Sequence, residues 1–199
     1  ALSYFTEFWP SDNTDPIERL FIQWGFSQVF PAKTMCAHVT TWNKNSSVKF
    51  RTDVAMMCKL GFDIKLADMS KDDETYCRTA VQNYNRLKPV VLEGDMYRLI
   101  SPYGSNHTST MYVGKDKDKA VVFAFDIHPR YAEKTLPVRL QGLDADKMYR
   151  VKEINLMPGA NSSLSGNGEV FSGEFLMNVG LNLFTTQQLN SRVVEVVAE

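Results

Sequence analysis

The sequence predicts an α+β fold built from two dissimilar parts. Over residues 1–87, strand-like and helix-like segments alternate, which fits the closing units of a (β/α)8 barrel. From residue 88 to residue 199 the chain is divided into short, regularly spaced strand-like segments separated by turns, which favours an antiparallel β-sandwich. We therefore predict two domains, 1–87 as the tail of a barrel and 88–199 as a β-sandwich.

The first predicted helix has signals at both ends. Asp15 stands in the N-cap position, with Pro16 at the first helical position and Glu18 three residues after the cap. Gly25 marks a plausible end. The apolar face between them consists of residues at helical spacing, namely Ile17, Leu20, Phe21 and Trp24.

A strand and two further helices complete the predicted barrel part. Residues 35–41 are mostly apolar or β-branched and predict a strand. Thr52 predicts the N-cap of a helix that runs to Leu60 and ends at Gly61. Ser70 precedes a third helix with an acidic first turn. The apolar face of this third helix is Tyr76, Cys77, Ala80, Val81, Tyr84 and Leu87.

The predicted strands of the β part differ in how strongly the sequence indicates them. Residues 120–126 form a strongly β run, preceded by a charged hairpin loop at 114–119. Residues 136–140 and 148–154 alternate apolar and polar side chains, which is typical of strands with one buried face. Residues 192–197 close the chain as a further strand.

Charge and composition exclude several classes of function. The formal net charge is -1, from 22 basic and 23 acidic residues without a long run of one sign, so we expect no nucleic-acid partner. No apolar stretch is long enough for a membrane span, so we expect no membrane partner either. Cys36, Cys58 and Cys77 are odd in number and widely spaced, which predicts reduced thiols and no disulfide framework.

The polar stretch before the first helix is the most informative part of the chain. It reads Ser11-Asp12-Asn13-Thr14-Asp15 and follows Trp9. Asp15 has a structural role available as the helix N-cap, but Asp12 has none. A carboxyl group beside aromatic surface is poorly solvated, which suits it to donate a proton near neutral pH. The alternative is that Asp12 is a second turn-forming residue.

The same stretch carries a family resemblance. The pattern Trp9-x-Ser11-Asp12-Asn13-Thr14-Asp15, followed by Arg19-Leu20-x-Ile22-Gln23-x-Gly25, resembles the α-galactosidases of glycoside hydrolase family 36. Residues 30–31, 38–40, 42–43 and 51–52 continue the match. The resemblance implies that Asp12 is the general acid/base. It also implies that the residues around Asp12 line a pocket for galactose.

The resemblance further implies a retaining mechanism, which needs two carboxylates. In the family, the nucleophilic aspartate lies upstream in a Lys-Trp-Asp motif, and this sequence contains no such motif. The family's Cys-x-x-Gly-Gly-Gly-Arg segment is missing as well. We therefore expect a C-terminal fragment of a longer enzyme that removes terminal α-linked galactose from oligosaccharides. We expect the fragment alone to be inactive.

The other candidate site residues each have two interpretations. His38 matches a family motif and would contact the sugar, or it is a hydrogen-bonded core histidine. Ser11 and Asn13 would bind sugar hydroxyls, or they shape the loop. Trp9 would stack against the sugar, or it is a packing residue. Cys36 and His38 share one strand face, but further metal ligands are missing nearby, so we expect neither a metal site nor a cofactor.

A second class of function is a non-catalytic carbohydrate-binding or interaction module in the β part. It would need a planar row of exposed aromatic side chains on one sheet face. The candidates are Tyr97, Tyr103, Tyr112, Phe123, Phe125, Tyr131 and Tyr149.

A barrel fragment should expose apolar surface meant for the missing barrel units. We expect the apolar faces of the first and third helices to be partly exposed or covered by another chain, for which a homo-oligomer is one arrangement. We also expect the residues after 87 to have a self-sufficient core.

Overall fold

A computed structural model describes residues 4–42 and 45–199. Residues 1–3 and 43–44, including Asn43 of the family pattern, lie outside the described residues. The barrel-derived part contains, in order, α1 (Pro16–Phe26), β1 (Cys36–Thr40), α2 (Val48–Ala55), β2 (Lys59–Asp63) and α3 (Lys71–Glu93). The β domain contains β3 (Asp95–Ile100), β4 (His107–Val113), β5 (Lys119–Asp126), β6 (Met148–Ile154), β7 (Val170–Ser172), α4 (Gly173–Asn178) and β8 (Asn190–Ala198).

The strands of the barrel-derived part are parallel. β1 pairs with β2 in parallel, with Cys36 opposite Lys59 and His38 opposite Gly61. Before them, Phe8 forms a parallel bridge with Met35. Parallel neighbours joined through helices are the arrangement of a barrel wall, so this part agrees with the predicted fold class.

The β domain is organised around one antiparallel sheet. Its six strands, among the described residues, lie in the order β3-β4-β5-β8-β6-β7. The middle strands β4 and β5 are buried along nearly their whole length, because both faces of the sheet are covered. The outer face packs against α4 and the irregular segments around Leu140 and Leu183. The predicted class, a barrel tail followed by an antiparallel β domain, is confirmed.

The covering layer differs from the predicted strand pattern. The strand expected at 136–140 is wrong: among the described residues, Val138 forms an isolated bridge with Leu181 and no regular strand is found there. Alternation of apolar and polar residues reports one buried face, and an irregular segment lying on a sheet satisfies it as well as a strand does.

The inner face of the sheet packs directly on the helices of the barrel-derived part. Phe50 of α2 meets Phe125 of β5 edge to face, with ring centroids 5.6 Å apart. Tyr76 and Leu87 of α3 belong to the same buried cluster as Tyr112 and Phe125 of the sheet. The two parts therefore share this core, while a second buried cluster on the outer face of the sheet consists of β-domain residues alone. The self-sufficient core expected after residue 87 stays a prediction.

The expected exposure of the third helix is also wrong. Tyr76, Ala80 and Tyr84 are 1%, 0% and 4% exposed, because the β sheet of the same chain covers this face of α3. Val81, which the sequence places on the same helix face, stays exposed. On α1, by contrast, Leu20 is buried while Ile17, Phe21 and Trp24 remain half-buried.

The apolar surface left uncovered lies at the edge of the barrel wall. A groove there is lined chiefly by apolar side chains that follow or belong to β2 and face the outer side of α3. They include Phe62, Ile64, Leu66 and Met69, and Val81 lines the groove from α3. β2 pairs with β1 on one side, and the described residues form no ladder on its other side.

The second helix is the main error of local prediction. α2 begins at Val48, because Ser47 is the N-cap and its Oγ accepts a hydrogen bond from the Phe50 amide at 3.1 Å. Thr52 lies inside α2 and is fully buried. The residues predicted as the end of this helix form β2 instead, since a short apolar run fits a buried strand or a helix equally well.

The third helix begins as predicted but ends later. Ser70 is the N-cap, and its Oγ accepts a hydrogen bond from the Asp73 amide at 3.1 Å. α3 then continues through Pro89 to Glu93. We therefore propose that the border between the two parts lies at the end of α3, somewhat beyond residue 87. No helix among the described residues combines the length and apolar character needed to cross a membrane.

A buried carboxylate joins the two parts. Asp53 of α2 is fully buried. One of its oxygens accepts hydrogen bonds from Tyr76 at 2.8 Å and Asn155 at 3.0 Å. The other accepts from Lys49 at 2.6 Å and Ser191 at 2.7 Å. Burial raises the pKa of Tyr76, so its hydroxyl stays protonated and remains a donor.

We expect Asp53→Ala to lower the free energy of unfolding of the chain by about 3–5 kcal/mol, because Lys49 is then left buried without its counter-ion. Asp53→Asn should cost less, since the amide oxygen still accepts. Urea unfolding followed by circular dichroism measures both. The control is Asp146→Ala, an exposed carboxylate. Equal effects of Asp53→Ala and Asp146→Ala would contradict a stabilising role for the network.

Candidate active site

Parallel strands bring the predicted site residues to one edge of the barrel-derived part. The Phe8 bridge, β1 and β2 run in the same direction, so their carboxyl ends meet at the same edge. In (β/α)8 barrels, the loops that leave this edge carry the active-site residues. Asp12 lies in the first of these loops, between Phe8 and α1.

Side-chain caps shape this loop. Ser11 Oγ accepts a hydrogen bond from the Asn13 amide at 3.1 Å, and Asn13 Oδ1 accepts from the Asp15 amide at 2.9 Å. Asp15 Oδ1 accepts from the amides of Ile17 and Glu18 at 3.0 and 3.1 Å, which makes Asp15 the N-cap of α1 as the sequence predicts. One acceptor atom of each of these three side chains is therefore engaged within the loop.

Asp12 differs from its neighbours in the loop. Its side chain is exposed, so the poor solvation expected for it beside the aromatic surface is wrong for the described residues. Across residues 4–42 and 45–199, no hydrogen bond or ion pair engages its carboxylate, while the turn positions on either side are taken by Ser11, Asn13 and Asp15. Asp12 is thus the carboxylate of this loop that stays available to a ligand.

Trp9 and His38 form the wall beside this loop. Their ring centroids lie 4.0 Å apart at an interplanar angle of 44°. Trp9 is 46% exposed, so part of its ring still faces solvent. His38 lies opposite Gly61, and a Cβ atom at Gly61 would approach the Cβ of His38 to 3.6 Å. The glycine keeps the space beside the imidazole open.

The imidazole of His38 is held in its neutral form. Desolvation by burial lowers its pKa, and the positive charge of Arg19 lowers it further. The negative charges of Asp63 and Asp12 raise the pKa of His38, but their effect is smaller, so the pKa stays lowered. Nδ1 is buried and has no hydrogen-bond partner among the described residues. Because Nδ1 is enclosed by the protein, it does not face a ligand in this structure.

Asp63 is a candidate site residue that the sequence analysis misses. It is the last residue of β2, opposite Thr40, and side chains alternate along a strand, so it shares the face of β2 that carries Gly61. An acidic residue at the carboxyl end of a barrel strand indicates a candidate active-site residue. The signal is hidden in the sequence because this segment is predicted there as the end of a helix.

The opposite end of the same strand face carries a separate polar group. Glu7 forms an ion pair with Lys59, and Cys36 Sγ lies 3.8 Å from the same carboxylate oxygen. Burial and the charge of Glu7 raise the pKa of Cys36, so this cysteine remains a thiol. Glu7 is therefore occupied and does not supply a second available carboxylate.

Comparison with known families matches both parts of the chain. Residues 1–94 match the family model described as Melibiase, and residues 107–196 match the Glycosyl hydrolase family 36 C-terminal domain. The chain therefore belongs to glycosyl hydrolase family 36, as the resemblance in the loop region implies.

Individual relatives agree with this family. Alpha-galactosidase 2 of Hypocrea jecorina is 35% identical over 200 residues, which cover 98% of this chain and 25% of that protein. The GH36 alpha-galactosidase AgaB from Geobacillus stearothermophilus is 28% identical, with a TM-score of 0.86, over 100% of this chain and 26% of its own. A variant of AgaA from the same organism, solved in complex with raffinose, is 27% identical with the same TM-score and coverage. The chain spans about a quarter of the length of these relatives.

The N-cap and the available carboxylate should respond differently to truncation. We expect Asp15→Ala to lower the free energy of unfolding by about 0.5–2 kcal/mol, because two helix amides lose their acceptor. Asp12→Ala should leave stability nearly unchanged. Urea unfolding of the chain measures both variants, with Asp15→Asn as the conservative control. A loss for Asp12→Ala as large as that for Asp15→Ala would mean that Asp12 also has a structural role.

Proposed function

We propose that this chain is the C-terminal part of a retaining α-galactosidase, and that Asp12 is its general acid/base. The observation that carries this proposal is the carboxylate of Asp12, exposed and unengaged by the described residues in a family-36 loop at the carboxyl ends of parallel strands. Asp12 first protonates the oxygen of the leaving group. It then removes a proton from the water that attacks the glycosyl-enzyme.

The nucleophile comes from outside this chain. A retaining glycosidase holds its two carboxyl groups about 5–5.5 Å apart. Asp15 caps α1 and Glu7 is paired with Lys59, so neither is a second carboxylate for this site. Asp63 follows Gly61-Phe62 and not the Lys-Trp that precedes the family's nucleophile, so we do not assign that role to Asp63. We propose that the rest of the whole protein supplies the nucleophile. On this basis we expect the 199-residue chain alone to hydrolyse no galactoside.

The sugar is bound by the wall and the loop around Asp12. The exposed part of the Trp9 ring offers an apolar surface for the C–H face of galactose. The half-buried ring of His38 stands against Trp9 and lines the same side of the site. In the loop, the side-chain amide of Asn13 and the hydroxyl of Ser11 remain as donors, because their bonds within the loop use acceptor atoms.

The substrate is a terminal α-linked galactoside of the oligosaccharide type. Support comes from the relatives: one AgaA variant was solved in complex with raffinose and another in complex with stachyose. We propose the same class for the whole protein to which this chain belongs.

A non-catalytic carbohydrate-binding module in the β domain receives less support. Such a module needs a row of exposed aromatic rings, but Tyr112, Phe123, Phe125 and Tyr149 are core residues. Of the other candidates, Tyr97 is half-buried and the exposed Tyr103 packs edge to face on Phe21 of α1. Tyr131 adds one further exposed ring, so the candidates give little support to a row of rings.

In the whole protein, we propose that the uncovered edge of β2 and the apolar groove beside α3 pack against the remaining units of the barrel. A closed barrel requires its last strand to pair with its first. Association of two copies through this groove is the other arrangement. Closure by the same protein is favoured because the chain spans a quarter of its relatives' length.

In the intact parent protein, we expect Asp12→Asn to reduce the hydrolysis of raffinose by about 10²–10⁴-fold, the usual cost of losing a general acid/base. An aryl α-galactoside with an activated leaving group should lose less in forming the glycosyl-enzyme. Its turnover should then stall without a base to activate water. Added azide needs no base and should restore turnover, giving an α-galactosyl azide with retained configuration.

The matched control is Asp15→Asn. An amide at the N-cap still accepts the helix hydrogen bonds, so this variant should keep most of its activity and show no azide rescue. If Asp15→Asn is the variant that loses activity and responds to azide, the acid/base is Asp15 and the role proposed for Asp12 is wrong.

A further inference from the structure

Arg19 is a buried cation beneath the loop that carries Asp12. It lies on α1 and is 3% exposed. Its guanidinium donates to two backbone carbonyl oxygens, that of Ser11 and that of Cys36, each at 3.1 Å. Among the described residues it forms no ion pair with a carboxylate. Burial lowers the pKa of Arg19, which reflects the cost of keeping this charge away from water.

A buried charge without a carboxylate partner is expensive, so its contacts indicate what it contributes. One carbonyl belongs to the residue directly before Asp12. The other belongs to β1, two residues before His38. The guanidinium thus ties the loop that carries the carboxylate to the strand that carries the imidazole. Its planar fork suits this task, because its two amino groups can reach separate acceptors in a fixed geometry.

The loop is held from its other side as well. Thr14 Oγ1 lies 3.0 Å from Thr40 Oγ1 at the end of β1. The backbone of Asp12 is therefore fastened to β1 both before and after it, while its own side chain stays exposed. A proton donor gains from such an arrangement, since a displacement of about 1 Å costs on the order of 10²-fold in rate.

We propose that Arg19 is a positioning residue for Asp12, setting the distance between the loop and β1 at which the carboxylate reaches the glycosidic oxygen. This inference rests on the proposed function of Asp12. Arg19 does not touch the sugar. It acts through the Ser11 carbonyl.

The test uses the intact parent protein with Arg19→Met, which keeps an unbranched side chain but removes the donors. We expect the rate on raffinose to fall by about 10- to 100-fold. The activated aryl α-galactoside should lose much less in forming the glycosyl-enzyme, because its leaving group needs little protonation. Arg19→Lys, which has a single ammonium group, should give an intermediate loss and serves as a second variant if Arg19→Met folds poorly.

The matched control is Arg192→Met. Arg192 is also buried, at 4% exposed, but lies in the β domain, where its guanidinium donates to Asn182 O and Ser163 Oγ. Unlike Arg19, it also pairs with a buried carboxylate, Glu153, at 3.7 Å, so its removal should cost at least as much stability. We expect this variant to lower the melting temperature without changing the ratio of the two substrate rates.

A double-mutant cycle separates positioning from general destabilisation. If Arg19 acts through Asp12, adding Arg19→Met to Asp12→Asn should change the remaining activity by less than about twofold. If Arg19→Met slows both substrates equally, or slows raffinose hydrolysis as much in the Asp12→Asn background as in the wild type, Arg19 is not a positioning residue. Either result leaves the proposed function of Asp12 standing. Full raffinose hydrolysis by the Asp12→Asn single variant rejects the proposed function itself.

Discussion

The carboxylate of Asp53 is the contact on which the rest of the structure depends. It is buried where α2 and α3 meet the sheet, and all its hydrogen-bond donors must be in place to offset the cost of desolvation. Two of the donors come from the β domain, so this domain fixes α2. In turn Gln23 of α1 donates to the carbonyl of Val54, the residue after Asp53, at 3.0 Å. The helix that follows the Asp12 loop is therefore held by the same buried framework.

The sequence predicts those parts of the fold that depend on local signals. The N-cap at Asp15 and the start of a helix at Ser70 are found as predicted, because a side chain that accepts from amides two or three residues ahead is a local interaction. The strand β5 is also found, since its β-branched and aromatic residues have few alternatives. The segment of β2 is wrongly predicted as helix because its state is decided by pairing with a distant strand. The shared core is likewise a tertiary property, and the pattern of α3 indicates an apolar face without indicating what covers it.

The candidate site likewise has features that the sequence predicts and features that only the fold reveals. The sequence singles out Asp12 through the family resemblance of the Trp9 to Asp15 block, because the local pattern alone leaves a turn-forming role open. The contact between Trp9 and His38 could not be predicted, because it depends on where the Phe8 bridge places the loop against β1. The role of Arg19 is hidden for the same reason: in the sequence it is one polar residue of an amphipathic helix, and only the fold reveals which carbonyls it reaches.

The most direct test of the account is a crystal structure of the intact parent protein carrying Asp12→Asn, with raffinose bound. The account predicts that the side-chain amide introduced at position 12 lies within about 3.2 Å of the glycosidic oxygen, the reach of a general acid. It also predicts that a second carboxylate, from outside this chain, stands on the other side of the sugar carbon at about 5–5.5 Å from that amide. A sugar bound with the glycosidic oxygen away from position 12, or with another carboxyl group in hydrogen-bond contact with it, would contradict the assignment.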